Sequence, residues 1–175
     1  MPASLAASVG AGNGRPVTMI ATSTMSQPQT ISGVMQANAE QAVKYARDRF
    51  RSELDYSAQS LERVDKIIDV MHVDLPKSFV ARAIRGAAMD EEIWTTSKMW
   101  GAYVGETLRR KWGGRWKTTP SPDGHAEIVL ELPLGRCKPV AEVRRRLSAG
   151  TGPGVFAMYA ALLKISGDAT TTGGN

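Results

Sequence analysis

The stretch WGAYVGETLRRKWGGRW, residues 100–116, holds three of the chain's four tryptophans, a Gly-x-x-x-Gly step and a double glycine. Its surroundings decide how it reads. Asp90, Glu91 and Glu92 put negative charge where a helix N-terminus is positive, and Arg109, Arg110 and Lys111 put positive charge at the other end. Gly113 and Gly114 supply the left-handed residue on which helices end. Between these signals Ile93, Trp100, Val104, Leu108 and Trp112 draw one apolar line. The pattern predicts a helix of roughly 20 residues. Trp116 then points inward from a following strand. Gly101 and Gly105 make a face that another helix can approach closely, with the Ala-rich first helix as the expected neighbour.

Upstream, VMQANAEQAVKYARDRFRSEL repeats Met35, Ala39, Ala42, Ala46 and Phe50 at three- and four-residue steps, an amphipathic helix with a small-residue inner face. A second helix follows Ser57, whose hydroxyl suits an N-cap. Leu61, Val64, Ile68 and Met71 mark its inner side, and Pro76 closes it. KSFVARAIRGAAMD reads as a short helix or an irregular connection, with Gly86 a natural end.

Downstream the period changes. GRWKTT, the turn PSPDG and HAEIVLELP form a hairpin over residues 114–133. Ala126, Ile128, Leu130 and Leu132 alternate with His125, Glu127, Val129 and Glu131, so one face is buried and the other wet. Pro139 opens a further helix with Val140, Val143 and Leu147 inside and Gly150 at its end. The last helix, GVFAMYAALLKI, is apolar nearly all round and is expected to be mostly buried. The sum is an α+β fold, about five helices packed on a small antiparallel sheet. Residues 1–32 read as a disordered lead, 33–166 as a single domain and 167–175 as a flexible tail. Met25 is an alternative start to Met1.

The formal charge is +5. Residues 34–90 balance nine cations against nine acids, whereas residues 91–147 carry eleven against seven. The excess is local, and that suggests an anionic partner such as nucleic acid. A single cysteine, Cys137, allows no intramolecular disulfide and suits a reducing compartment, and no apolar run is long enough to span a membrane. A cytoplasmic protein is expected.

Three pieces in order carry a resemblance. They are LDYSAQSLERVDKIID, WGAYVGETLRRKWGGRW, and KPVAEVRRRLSAGTGPGVFAMYAALLKI. Together they resemble a group of small bacterial α+β domains of unknown function. The pattern there is an LDYS…SL…VD helix, a GAYLGE…GGxW helix-to-strand junction and a P…V.KRL.NG segment before an apolar helix. Leu54 to Ser60 with Val64 and Asp65 match the first part. Gly101, Tyr103, Gly105, Glu106, Gly113, Gly114 and Trp116 match the second. Pro139, Val143, Arg146, Leu147 and Gly150 match the third. The resemblance spans most of residues 52–165. It implies a small intracellular module, some of whose kind lie near toxin–immunity or secretion loci. It carries no catalytic assignment. The N-terminal lead and SAGTGPG depart from the pattern.

Catalytic and metal signals are sparse. Cys137, His125 and Asp123 supply the atoms of a nucleophilic triad, but an extended strand would hold the cysteine and histidine about 25 to 30 Å apart at ~3.3 Å per residue. His72, Asp74, His125 and Cys137 lack the spacings of a metal site, and His72 reads as a solvated helix-end residue. No cofactor motif is present. Gly113-Gly114 follows a helix and so is a cap, not a phosphate loop. The carboxylates are more informative. Asp65 and Asp69, one helical turn apart, repel each other, and the repulsion is offset by a cation, with Arg109 or Arg110 the candidates, or by solvent. Glu106, inside an apolar helix, calls for a partner, and Arg110 at i,i+4 is the plainest one.

The expected function is a non-enzymatic bacterial protein-binding module, immunity-like or adaptor. Its partner would be a toxin or a secretion-associated protein. Its contact residues would be Asp55, Glu62, Asp65, Asp69, Glu106, Arg110 and Arg145. The alternative is a nucleic-acid-binding regulator using the basic excess of residues 91–147. A more distant one is a hydrolase built on Glu106.

Overall fold

The computed structural model describes residues 30–74, 79–120 and 126–171. The lead through residue 29, the α2–α3 connection with Pro76, the hairpin turn with Asp123 and His125, and residues 172–175 lie outside the described residues. The elements run α1 (Ile31–Phe50), α2 (Ala58–Asp74), α3 (Phe79–Trp112), β1 (Arg115–Pro120), β2 (Ala126–Leu132), β3 (Gly135–Cys137), α4 (Pro139–Ala149) and α5 (Val155–Thr171). This is the α+β fold the sequence predicts, five helices with an antiparallel sheet ordered β1-β2-β3.

α3 is the centre. It packs chiefly on α1 and α4, while α2 packs on α4 and α5. The sheet meets the helices through β1 on α1 and β2 on α3 and α4. Trp100, Tyr103, Val104 and Leu108 are fully buried, and Met35, Ala39, Ala42 and Ala46 of α1 close on the same core. Small side chains on α1 let its backbone come close to the bulky face of α3, and burying each large side chain contributes about 1.5–3 kcal/mol.

Local chemistry explains the boundaries. Thr30 Oγ1 accepts from Gly33 N at 3.2 Å and caps α1, so the helix begins inside the stretch read as a disordered lead. Ser57 Oγ accepts from Ser60 N at 3.2 Å and caps α2. Gly113, at φ 76°, ends α3 by donating to Arg109 O at 2.8 Å, and Gly150, at φ 66°, ends α4 by donating to Arg146 O at 2.8 Å.

The structure corrects several expectations. α3 has 34 residues, because Gly86 does not end it: a glycine inside a helix costs only about 1 kcal/mol, too little to break a helix of this length. The glycines at 101 and 105 do not face α1. A Cβ on Gly101 would overlap the Val140 backbone of α4, and one on Gly105 would overlap the Trp116 ring. α5 runs to Thr171, through the start of the expected tail. It is also less buried than its composition suggests, because it packs along one side only. Val155, Tyr159 and Leu162 are inside, while Leu163 and Ile165 are exposed. A third strand extends the hairpin and returns Cys137 to a position opposite Leu130, where the sequence placed it beyond the far end of the strand. No helix among the described residues is long and apolar enough to cross a membrane.

Candidate functional site

Charged and polar groups settle into three places. The first is the opening stretch. Glu106 is 1% exposed. Its Oε1 accepts from Trp116 Nε1 at 2.8 Å and from Arg109 Nε at 2.9 Å, and its Oε2 accepts from Arg109 Nη2 at 2.8 Å. Burial pushes the carboxyl up, but the Arg109 and Trp116 hydrogen bonds and the charges of Arg109 and Arg110 outweigh it and leave the group below its ordinary value. Glu106 therefore stays an anion saturated by internal donors, an arrangement unsuited to giving up a proton. Its partner is Arg109, one residue from the one expected. Arg110 instead lays its guanidinium over the Tyr56 ring, 3.4 Å from the centroid. Tyr56 stacks on Tyr103 at 4.7 Å, and the Tyr103 hydroxyl accepts from Tyr56 N at 2.8 Å and lies 2.6 Å from Ser60 Oγ.

The second place is the polar side of α2. Arg146 of α4, 8% exposed, bonds Asp65 through Nη1 and Asp69 through Nη2. Asp65 also accepts from Val155 N at 2.8 Å and Phe156 N at 3.1 Å, so it caps α5 from another helix. A Cβ on Gly154 would overlap this carboxylate. His72 Nδ1 lies 2.7 Å from Leu147 O, which corrects the reading of His72 as a solvated helix-end residue. The repulsion between Asp65 and Asp69 is thus relieved by Arg146, not by Arg109 or Arg110. The basic triplet of α4 divides as a helix must: Arg146 inward, Arg145 onto Glu142 and Thr151 O, and Arg144 outward, 5.5 Å from the Trp94 ring.

Of the residues expected to meet a partner, Asp65 and Glu106 are thereby drawn into internal contacts. Asp69 is bound to Arg146 yet keeps a side chain 61% exposed. Asp55 and Glu62 are exposed, Arg110 is exposed beside Tyr56, and Arg145 is half-exposed. Asp55 accepts from Ser57 N at 3.1 Å, and the Ser57 hydrogen bonds hold its carboxyl below the usual value. They do not form one patch: Asp65 and Asp69 face α4, while Asp55 belongs to the turn before α2.

The third place, which the sequence reading missed, is the outer face of the sheet. Glu131 receives Lys117 at 2.7 Å, Arg136 at 3.1 Å and Arg115 at 3.9 Å. Lys138 reaches Glu127 at 2.9 Å. Lys117 bonding, backed by the charges of Arg136 and Arg115, holds Glu131 below its ordinary value. Four cations therefore stand over two carboxylates. Arg115 and Arg136 are 76% and 71% exposed. Val129, opposite Lys117, belongs to this face by alternation yet is 3% exposed and stands apart from the main core. Strand alternation, Arg115-x-Lys117 against Glu127-x-x-x-Glu131, was the signal available in the sequence.

Among the described residues, no group of three or more His, Cys, Asp or Glu gathers to hold a metal ion. Burial pushes the Cys137 thiol up to about 11, so it is a protonated thiol at neutral pH. Its proposed triad partners, Asp123 and His125, lie outside the described residues. The cations near aromatic rings cover rings of their own chain: Lys98 and Arg144 on Trp94, Arg110 on Tyr56, Lys111 on Trp112 and Tyr159.

The motif residues that carry the resemblance are in good part contact partners of one another. Examples are Tyr56 with Tyr103, Gly105 and Glu106 with Trp116, and Asp65 with Arg146. Comparison with known protein families finds no family model that matches the chain, and no curated protein and no solved structure matches it.

Proposed function

We propose that the protein is a non-catalytic module that binds another protein, in an immunity-like or adaptor role. The observation that carries this reading is the outer sheet face, where four cations surround two carboxylates and three of the four, Arg115, Lys117 and Arg136, stand on the strands themselves. A face of mixed sign with a positive excess favours selective contact with a complementary protein surface. A nucleic-acid regulator would also use the excess, but stacking needs open aromatic faces. Here the rings beside cations are covered by them, and the outer positions of β1–β3 carry Arg, Lys, Thr, Glu and Val.

The test is pairwise co-expression with the proteins encoded beside this chain. A one-to-one complex is expected that weakens with salt and with Lys117→Glu/Arg136→Glu. No complex with any neighbour, together with duplex DNA binding that falls steeply with log salt, would transfer the assignment to the nucleic-acid class.

A further inference from the structure

β1 is an edge of the sheet. The order β1-β2-β3 leaves one side of its six residues without a neighbouring strand, and α1, which packs on β1, makes no backbone hydrogen bond to it among the described residues. Among the described residues, no backbone group of β1 hydrogen-bonds outside the β1–β2 ladder. Arg115, Lys117, Thr118 and Pro120 are exposed. The opposite edge, β3, has only three residues. An open strand edge is a template for another strand, and proteins restrict what pairs there with charge and proline. The restriction here has a sign. Arg115 and Lys117 stand on the outer face at this edge, and their nearest acid, Glu131, lies on the far side, on β2, already shared with Arg136. A second copy of β1 would bring like charges against like, and like charges directly opposite destabilise a strand pair. An incoming strand with carboxylates at alternate positions would meet both cations on the outer face, and its remaining side chains would lie beside Trp116 and Thr118.

We infer that β1 receives an extended acidic segment of the partner protein as a fourth strand of the sheet. The inference rests on the protein-binding reading and specifies its mode: backbone pairing gives the register, and alternate carboxylates give the selectivity.

The experiment uses the full chain and three fluorescein-labelled octapeptides, alternating Glu-Thr, the same Glu-Thr sequence N-methylated at every residue, and alternating Lys-Thr, with single-stranded oligo-dT as a fourth probe. The N-methylated peptide has the same charge but no backbone N–H with which to add a strand. Binding is read by anisotropy and by amide exchange at residues 115–120. The expected result is Glu-Thr binding at least tenfold tighter than any other probe, with β1 amides protected. Arg115→Glu/Lys117→Glu abolishes the binding, and the charge-matched Lys44→Glu/Arg49→Glu on α1 leaves it within twofold. Equal binding of the Glu-Thr peptide and its N-methylated form overturns strand addition and leaves charge-directed protein binding standing. Preference for oligo-dT overturns both. Absence of Glu-Thr binding overturns the inference, while the co-expression test judges the protein-binding reading separately.

Discussion

Glu106 is a charged group in a helix whose neighbours are Tyr103, Val104 and Leu108, and it stays charged because Trp116 and Arg109 fill its lone pairs. Glu106→Gln keeps the shape but turns an amide toward Arg109, and a loss of about 1–3 kcal/mol in urea unfolding is expected. The same group sets a pH dependence. Its folded pKa lies below the unfolded one, about 4.3, so its stabilisation is complete above that value and fades as pH falls through the folded pKa. Between pH 5 and pH 3 the wild type should lose more stability than Glu106→Gln, and equal losses would contradict the assignment. Cys137 offers a second check at this scale. With a thiol near 11, iodoacetamide at pH 8 should alkylate the folded protein about a hundredfold more slowly than the unfolded one.

At the scale of elements, one side of α2 holds α4 and α5 in place. Asp65 does most of this, because it meets both a buried arginine and the first amides of α5. Asp65→Asn should cost about 3 kcal/mol, since it removes half the charge that neutralises a buried guanidinium. Asp69→Asn, at a mostly exposed side chain, should cost less than about 1 kcal/mol. Hydrogen exchange should quicken at Val155 and Phe156 in the first variant and not in the second. Much of this was legible beforehand in part. The i,i+4 spacing of Asp65 and Asp69 announced a repulsion for a cation or solvent to offset, and the arginine triplet on α4 had to divide between faces. Which arginine met which acid depended on the crossing of α2 and α4, and no local pattern encodes that. Gly101 and Gly105 likewise announced close approach, but whether a helix or a tryptophan filled each notch was a tertiary fact.

For the whole molecule, the order of helices and hairpin followed from capping residues and periodicity, which act within a few positions of the chain. The sequence misled where longer-range packing decided. α5 keeps a wet side despite its composition, and a third strand returns Cys137 to Leu130. The outer sheet face is hard to read in the sequence because its cations come from two separate stretches, 115–117 and 136–138, and become neighbours only when the strands pair. The structure thus makes a partial exchange of charges: Asp65 and Asp69 of the acidic row join α2 to α4 while Asp55 and Glu62 stay exposed, and scattered cations gather on the outer sheet face. A double-mutant cycle on Asp65→Asn and Arg146→Met, read by urea unfolding, tests that exchange most directly. A coupling of about 1–3 kcal/mol is expected if the pair ties α2 to α4. Additivity within about 0.5 kcal/mol would contradict the account and return Asp65 to the list of residues free to meet a partner.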